Sequence, residues 1–195
     1  TDKLQAFGKV CAIDFSHHAL QLAYKRGVRS LTNGSLETLP FRDQKFDIIT
    51  SLDVLEHLDD DMNAMSELNR ICKNDGKLII FVPAFQFLWS GEDNVSEHRR
   101  RYTRKELVSK LQTAGFSIDW LSYVNMFLFP VVTGVILFNR YFWPARLNES
   151  NMRPLSFTLN RILSLIFRTE AILLRWTRFP FGTSLAGVVS KNKVL

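Results

Sequence analysis

The sequence predicts an α/β fold with a mainly parallel sheet, because strand-like and helix-like segments alternate through the first 125 residues. Short apolar or β-branched runs such as Phe46–Leu52 indicate buried strands. The helix-like segments between them stop at Gly27 and Gly115, and glycine is typical of helix C-termini. The length of 195 residues suffices for one sizeable core, so a single domain over residues 1–195 is expected.

The expected elements follow one another regularly along the chain. Strands are predicted at Lys9–Phe15, Val28–Thr32, Phe46–Leu52, Lys77–Val82, Phe116–Tyr123 and Thr183–Lys191. Helices are predicted at about His17–Arg26 with Ser16 as the cap, at Asp60–Cys72, and from the Thr103-x-x-Glu106 capping box to Gly115. Asn74-Asp75-Gly76 is predicted to form a turn.

Charge is distributed unevenly along the chain. Residues 126–195 carry nine basic and two acidic residues, a net +7, whereas residues 1–125 sum to −1. This asymmetry indicates an anionic partner, such as a membrane surface or a phosphorylated substrate, and a solvated basic face is the alternative interpretation. Cys11 and Cys72 indicate neither a disulfide framework nor a metal site, and a reducing, cytoplasmic compartment is expected.

Residues 126–180 are apolar and rich in arginine, and we expect a helical insertion there before the last strand. In Met126–Trp143 only 13 residues separate Asn125 from Asn139, fewer than the roughly 20 that span a bilayer. In Leu159–Trp176 three arginines recur every seven residues, namely Arg161, Arg168 and Arg175. Arg178 follows three residues after the last of them. The pattern predicts a basic amphipathic helix lying peripherally on the inner face of a membrane; a helix packed on the sheet is the alternative.

Asp14 ends the first predicted strand and precedes a helix. An acid at this position commonly accepts hydrogen bonds from both ribose hydroxyls of a nucleotide in α/β sheets. A carboxylate that only caps the helix is the alternative interpretation.

Later segments resemble the class I S-adenosylmethionine (SAM)-dependent methyltransferases of type 11, a group similar to the quinone-biosynthesis enzymes. After the acid-ended strand come Gly34-Ser35-Leu36-Glu37-Thr38-Leu39-Pro40-Phe41, then Phe46-Asp47 through Val54-Leu55-Glu56-His57, then Leu68-Asn69-Arg70-Ile71-Cys72-Lys73-Asn74-Asp75-Gly76. The match covers residues 9–125 in the family's order and spacing.

The resemblance implies a Rossmann-like sheet with strand order 3-2-1-4-5-7-6, whose last strand runs antiparallel between the fifth and the sixth. The family begins with a strand and a loop of type D-x-G-x-G-x-G, but no two of the nine glycines here are closer than five residues. Strand one is therefore expected to be missing from this chain, which would be an N-terminally truncated domain, inactive alone. Roughly 40 further residues at the start would supply one βα unit.

The resemblance also implies SAM as the cofactor and gives roles to six residues. Asp14 matches the acid that binds the ribose hydroxyls, and Phe15 would lie along the adenine edge. Ser35 and Leu36 match the pair beside the adenine amino group, although the family often has Asp in place of Ser35. Ser51 and Leu52 match the strand end under the methionine half.

The acceptor side is implied by the Glu56-His57 pair and by the segment after the fifth strand. That segment is similar to a subgroup with P-A-[FY]-x-x-L-W-S followed by H-x-R-R-Y-T. Phe85, Phe87 and Trp89 would line an apolar pocket, or pack a lid. Arginines including Arg100, with His98, would bind phosphate or carboxylate, or pair with nearby acids. Candidate bases, needed only for a hydroxyl or protonated amine acceptor, are His57, His98 and Tyr102.

The expected function is methyl transfer to a small-molecule or lipid-like acceptor that has an apolar body and an anionic group. Nucleic acid is not an expected partner. The alternatives are a non-catalytic scaffold of the same fold docked on a membrane or partner, and a nicotinamide-dependent oxidoreductase. The L-P-F and V-L-E-H segments disfavour the oxidoreductase.

Overall fold

The computed structural model describes residues 2–143 and 156–192 of the chain. The chain divides into two compact units, Thr1–Arg42 and Asp43–Leu195. The first unit contains a 3₁₀ helix at Asp2–Phe7, strand β1 at Cys11–Asp14, helix α1 at His17–Lys25 and strand β2 at Ser30–Asn33. β1 and β2 pair in parallel, with Cys11 opposite Ser30 and Asp14 opposite Asn33.

The second unit contains four strands and five α-helices among its described residues. In chain order these are β3 at Phe46–Leu52, α2 at Asp61–Ile71, β4 at Cys72–Pro83, α3 at Gly91–Val95, α4 at Arg104–Thr113, β5 at Phe116–Val124, α5 at Phe129–Phe142, α6 at Phe157–Leu173 and β6 at Ser184–Lys191. Two 3₁₀ helices, Leu55–His57 and Gln86–Leu88, follow β3 and β4 respectively.

The strand order confirms the predicted fold class. The four-stranded sheet has the order β3-β4-β6-β5, in which β3 and β4 are parallel and β6 is antiparallel to both of its neighbours. This sheet corresponds to strands 4-5-7-6 of the predicted order. The separate pair β2-β1 corresponds to strands 3-2. No strand within residues 2–143 and 156–192 takes the place of strand one.

Local signals placed most of the helix ends correctly. Ser16 caps α1 by accepting a hydrogen bond from the Ala19 amide at 3.3 Å, as predicted. Thr103 caps α4 by accepting from the Glu106 amide at 3.2 Å. Gly27 and Gly115 follow their helices with φ of +92° and +87°, a backbone conformation that glycine adopts without steric cost.

The predicted turn at Asn74-Asp75-Gly76 was wrong, because β4 runs without interruption from Cys72 to Pro83. The pairing with β3 jumps from Phe46–Cys72 to Ile48–Lys77, so the turn-like residues form an irregularity inside the strand. A Cβ on Gly76 would lie 2.7 Å from the Cys72 sulfur and 3.1 Å from the Asp47 carbonyl oxygen. The glycine therefore serves a close backbone approach, which sequence alone does not distinguish from a turn.

The core of the second unit lies on β4 and β6. Leu78, Ile80 and Val82 alternate along β4 and have no exposed surface, as do Leu185 and Val189 on β6. Burying each such side chain contributes about 1.5–3 kcal/mol. This rigid centre fixes the loops at the carboxyl ends of β3, β4 and β5.

The insertion between β5 and β6 is helical in its described parts, namely α5 and α6. α6 is anchored by Glu170, which is 2% exposed and whose carboxylate accepts hydrogen bonds from the amides of Asn125 and Phe127. No helix among the described residues combines the length and the apolar character needed to cross a bilayer.

The predicted arginine stripe was only partly right. Arg161 and Arg168 lie on α6 and are exposed, but the helix ends at Leu173, so Arg175 lies in the turn beyond it. Arg178 donates to the Leu174 and Thr177 carbonyl oxygens, and its guanidinium carbon lies 4.9 Å from the centre of the Trp120 ring. The apolar run alone did not show where the helix would end.

Candidate active site

The carboxyl ends of β3, β4 and β5 meet at one edge of the sheet, because β3 and β4 are parallel and β6 is antiparallel to both β4 and β5. Ligands of open α/β sheets bind at this edge. A residue with left-handed backbone follows closely after each strand: Asp53 at φ 52°, Phe85 at φ 58° and Asn125 at φ 62°. Such conformations cost of order 1–3 kcal/mol in non-glycine residues, and they cluster at functional sites.

In the first unit, Asp14 lies at the carboxyl end of β1. One of its carboxylate oxygens accepts a hydrogen bond from the Ser16 amide at 2.8 Å. Asn33 stabilises the backbone that follows β1, because its side-chain amide donates to the carbonyl oxygens of Asp14 at 3.0 Å and Phe15 at 2.9 Å. The carboxylate is partly exposed, so its second oxygen can meet a ligand hydroxyl.

The other predicted adenine-side residues lie near the ends of the same two strands. The Phe15 ring is 84% exposed, directly after β1. Ser35 and Leu36 are half-buried just after β2, and the Ser35 hydroxyl accepts from the Glu37 amide at 3.2 Å. That hydrogen bond stabilises a local turn and leaves the hydroxyl proton available to an acceptor.

In the second unit, Ser51 and Leu52 end β3, as predicted. Ser51 is 2% exposed and its hydroxyl has no hydrogen-bond partner among the described residues, whereas Leu52 is 51% exposed. A buried polar atom without a partner is costly and points to a group that binds there. A polar group of a cofactor could hydrogen-bond to the Ser51 hydroxyl, and an apolar part of the cofactor could cover Leu52. SAM has groups of both kinds, so the two residues fit it.

Glu56 is the most unusual residue of this edge. Its side chain is fully buried in the 3₁₀ helix after β3, and both carboxylate oxygens lack a partner among the described residues. Burial raises the pKa of Glu56 to about 7. The carboxyl group is therefore poised between its neutral and charged forms near neutral pH.

His57 and His98 lie beside Glu56. Their ring centres are 4.7 Å apart in an edge-to-face arrangement, and one ligand atom from each of the three residues lies within 4.8 Å of the other two. Burial and the neighbouring His98 lower the pKa of His57. The sequence indicated all three residues as candidates for the acceptor side but no metal site, and it gave no sign that His98 lies beside Glu56 and His57.

Asp93 holds His98 in place. The fully buried Asp93 carboxylate interacts with His98 Nδ1 at 2.9 Å and accepts from Arg101 Nε at 2.7 Å and Nη2 at 2.9 Å. Burial alone would raise the pKa of Asp93, but the hydrogen bonds and charge of Arg101, with the bond to His98, hold it below its usual value. The sequence carried a signal for Asp93 in the capping box Ser90-x-x-Asp93, since the carboxylate accepts from the Ser90 amide at 2.7 Å.

Tyr102, the third predicted base, lies in the interior of the second unit. Its side chain is fully buried, and its hydroxyl donates to Asp61 Oδ2 at 2.8 Å. Burial and this bond to a carboxylate raise the pKa of Tyr102 far above its usual value. These contacts show that Tyr102 stabilises the loop, and its role as a base stays a prediction that they do not favour.

Arg100, which was predicted to bind the substrate, makes several contacts within the chain, although its Nε atom has no hydrogen-bond partner among the described residues. Its Nη2 atom donates to the carbonyl oxygens of Leu58 and Asp59, both at 2.8 Å, and Nη1 lies 3.1 Å from Asp61 Oδ1. The two outer nitrogens of the guanidinium group are therefore held by the backbone of Leu58 and Asp59 and by the Asp61 carboxylate. The alternative interpretation of the arginine run, pairing with nearby acids, describes both Arg100 and Arg101. Asp61, which the sequence did not single out, is the shared partner of Arg100, Tyr102 and Lys110.

The aromatic residues after β4 form part of a cluster with residues of the insertion. Phe85 stacks on Tyr123 with ring centres 4.8 Å apart, and Phe129 of α5 lies 5.9 Å from Phe85 and 6.3 Å from Phe87. Arg140 Nη2 on α5 donates to the carbonyl oxygens of Phe87 and Trp89, both at 2.9 Å. α5 therefore lies against the loop after β4, in which the acceptor pocket was predicted.

Comparison with known proteins agrees with this arrangement. Residues 1–80 match a family model described as a methyltransferase domain. A probable SAM-dependent methyltransferase from Mycolicibacterium smegmatis is 27% identical over 114 residues, covering 57% of this chain and 44% of that protein. A demethylmenaquinone methyltransferase from Lactiplantibacillus plantarum is 33% identical over 84 residues, covering 40% of this chain and 35% of the relative. The chain thus spans half or less of the length of these two relatives.

The fold is similar to that of solved structures. The crystal structure of a SAM-dependent methyltransferase from Thermotoga maritima superimposes with a TM-score of 0.60 at 17% identity, covering 97% of this chain and 76% of that one. At this identity the likeness concerns the fold.

Proposed function

We propose that this chain belongs to the class I SAM-dependent methyltransferases and that the full-length protein transfers a methyl group from SAM to an acceptor with a large apolar part. One observation carries the proposal. The buried Ser51 hydroxyl has no hydrogen-bond partner among the described residues and lies at the carboxyl edge of the sheet, where a ligand would complete its hydrogen bonding.

Each unit, taken by itself, offers residues that suit a part of SAM. Asp14 and Phe15 offer a carboxylate and an exposed aromatic ring at the end of β1, as ribose hydroxyls and adenine require. Ser51 and Leu52 offer a hydroxyl and an apolar surface at the end of β3. SAM, when bound, supplies an electrophilic methyl group on a positively charged sulfur.

Because the methyl group of a sulfonium is already activated, the work of the protein is to position the acceptor and to exclude water. His57 is exposed and its pKa is lowered, so with no ion bound it is neutral near pH 7 and has the proton-accepting capacity of a base. His98 is oriented by Asp93, which fixes one ring nitrogen and leaves the other for the site.

The apolar character of the acceptor is supported by the aromatic cluster and by α5. Phe87 is 46% exposed beside Phe85 and Phe129, and this gives the loop after β4 an apolar surface open to a ligand. α5 adds exposed apolar side chains along its length, namely Val131, Val135, Leu137, Phe138 and Phe142. A lipid-like acceptor matches this surface better than a small polar one.

Replacing Asp14 with alanine is expected to weaken SAM binding by about 1–3 kcal/mol, the scale of a lost charged hydrogen bond. The measurement is calorimetric titration of the full-length protein with SAM. Ser16→Ala is the matched control, because it removes the α1 cap beside Asp14 without touching the carboxylate. If both variants lose the same affinity, Asp14 acts only on the local fold. Unchanged affinity in Asp14→Ala removes it from the site altogether.

We also propose that α6 and the turn after it dock the protein peripherally on an anionic membrane. Exposed Arg161 and Arg168 share α6 with exposed apolar side chains, among them Ile162 and Leu165 at 51% and 66% exposure. This combination is typical of helices that lie in a membrane interface. Arg175, exposed just beyond the helix, adds a third positive charge.

Changing Arg161, Arg168 and Arg175 together to glutamine is expected to weaken binding to anionic vesicles by roughly 100-fold, since each basic residue near such a surface contributes about 1 kcal/mol. Sedimentation with anionic and neutral vesicles at low and high salt measures this, and salt should weaken the wild-type interaction. The control changes three exposed lysines of the first unit to glutamine: Lys3, Lys9 and Lys25. Equal loss in both triple variants would show an effect of net charge alone, and equal binding to neutral vesicles would rule out the electrostatic contribution.

A further inference from the structure

Glu56 is a buried acidic residue whose carboxyl group is not paired with any other group of the described residues. Its carboxyl group is fully buried, and neither oxygen has a hydrogen-bond partner among the residues that the structure describes. A buried carboxylate without a partner is strongly disfavoured, so such a group normally has a proton, an ordered water or a cation beside it. The side chains around Glu56 indicate which of the three, a proton, a water molecule or a cation, suits this position.

Two imidazoles lie next to this carboxylate. The possible ligand atoms of Glu56, His57 and His98 lie within 4.8 Å of one another. The Arg99 amide donates to the Glu56 carbonyl oxygen at 2.7 Å, and this fixes the His98 loop beside the 3₁₀ helix that carries Glu56 and His57. The cluster therefore joins two segments that are about 40 residues apart in the sequence.

Both imidazoles are held by a second group. His98 Nδ1 is bonded to Asp93 at 2.9 Å, so its Nε2 atom is the nitrogen left for the cluster. His57 makes a hydrogen bond to the backbone of Ser96. A carboxylate or carbonyl on one imidazole nitrogen is the arrangement that orients metal-binding histidines and fixes their tautomer.

The surrounding charge also favours a cation. Asp53 precedes the cluster in its left-handed conformation and interacts electrostatically with both His57 and His98. Arg101 acts on Glu56 only through the field of its charge, because its guanidinium group pairs with Asp93, and Arg100 pairs with Asp61. Neither carboxyl oxygen of Glu56 has a hydrogen-bond partner among the described residues, so both oxygens are available to a cation.

We propose that Glu56, His57 and His98 bind a divalent first-row transition-metal ion. Two imidazoles and one carboxylate are a ligand set that suits Mn²⁺, Fe²⁺, Co²⁺ and Zn²⁺. Metal–ligand distances of about 2.0–2.2 Å place the ligand atoms of one ion roughly 3.3 Å apart, so small side-chain rotations would bring the three residues into coordination.

The proposed ion keeps coordination positions that the protein does not fill. A site with three protein ligands is typical of ions that also bind a water or a substrate oxygen. Resting on the proposed function, this makes an acceptor that presents an oxygen atom the better fit for the site. The metal site itself is tested without any turnover.

The experiment is calorimetric titration of the full-length protein with Zn²⁺ and, separately, with Mn²⁺, after treatment with a chelator. One ion per chain is expected. The variants His57→Gln and His98→Gln should lose affinity by roughly 100-fold or more, because even outer partners of metal ligands are worth 10–100-fold. Glu56→Gln should lose it as well, and circular dichroism of each variant confirms that it folds.

The double variant His17→Gln/His18→Gln is the matched control, because both imidazoles are exposed on α1 and neither belongs to the cluster. The proposal is overturned if neither ion binds, if binding survives in the His57 and His98 variants, or if the control loses it equally. Titration with SAM separates the two proposals. A protein that binds the ion but not SAM refutes the methyltransferase function alone, and one that binds SAM but not the ion refutes the metal site alone.

Discussion

Replacing Asp93 with asparagine is expected to lower the free energy of unfolding by about 3–5 kcal/mol. Asp93 is fully buried, and the side chain of its partner Arg101 is only 12% exposed. The substitution keeps the shape of the side chain but leaves the Arg101 cation in a dry environment without its counter-charge. Removing one member of a buried pair costs more than the pair contributes, because the remaining charge stays desolvated.

The matched control is Asp59→Asn. Asp59 pairs with Arg99 at 3.3 Å, but the two side chains are 83% and 54% exposed, so losing this pair should change stability little. Urea unfolding of both variants and the wild type measures the difference. Comparable losses in the two variants would contradict the assignment of Asp93 to a buried network.

The same network predicts a dependence on pH. The pKa of Asp93 is lowered in the folded protein, so its contribution is fully present above the unfolded value near 4 and is lost as the pH falls through the folded value. The wild type should therefore lose its advantage over Asp93→Asn below about pH 4. A constant difference between pH 7 and pH 3 would show that the carboxylate charge is not the cause.

Replacing Gly182 with alanine is expected to destabilise the second unit by about 3 kcal/mol, the upper part of the usual range for overpacking. A Cβ at this position would lie 2.1 Å from the Val124 carbonyl oxygen and 2.8 Å from the Val124 carbonyl carbon. Both atoms belong to the backbone at the end of β5, so no side-chain rotation relieves the clash. The end of β5 would have to move away from the start of β6.

Gly134→Ala is the matched control for this substitution. Gly134 lies in α5, and a Cβ there would meet no atom within 4 Å. Alanine in a helix interior is about 0.5–1 kcal/mol more favourable than glycine, so this variant should be slightly more stable than the wild type. Thermal unfolding of the two variants should shift in opposite directions. A Gly182→Ala protein as stable as the wild type would contradict the close approach of the two strand ends.

The order of strands and helices followed from the sequence because its signals are local. Apolar runs such as Phe46–Leu52, caps such as Ser16 and Thr103, and glycines after helices each report on a few neighbouring residues. Together with the resemblance to the methyltransferases, they predicted the antiparallel last strand in the right place. The failure at Asn74-Asp75-Gly76 came from a glycine whose role depends on the neighbouring strand.

The sequence predicted which residues belong to the candidate site but not which of them contact one another. Glu56, His57 and His98 were each named from the sequence, yet their proximity depends on how the loop after β4 folds back onto the end of β3. Arg100 and Tyr102 look available in the sequence, and only the packing shows that Asp61 binds both. The sequence by itself determined the strands, the helix caps and the residue types at the carboxyl edge, since these depend on short-range periodicity and backbone conformation. The tertiary structure alone decided which charges neutralise one another and which carboxylate stays unpaired, because those depend on burial and on contacts between distant segments.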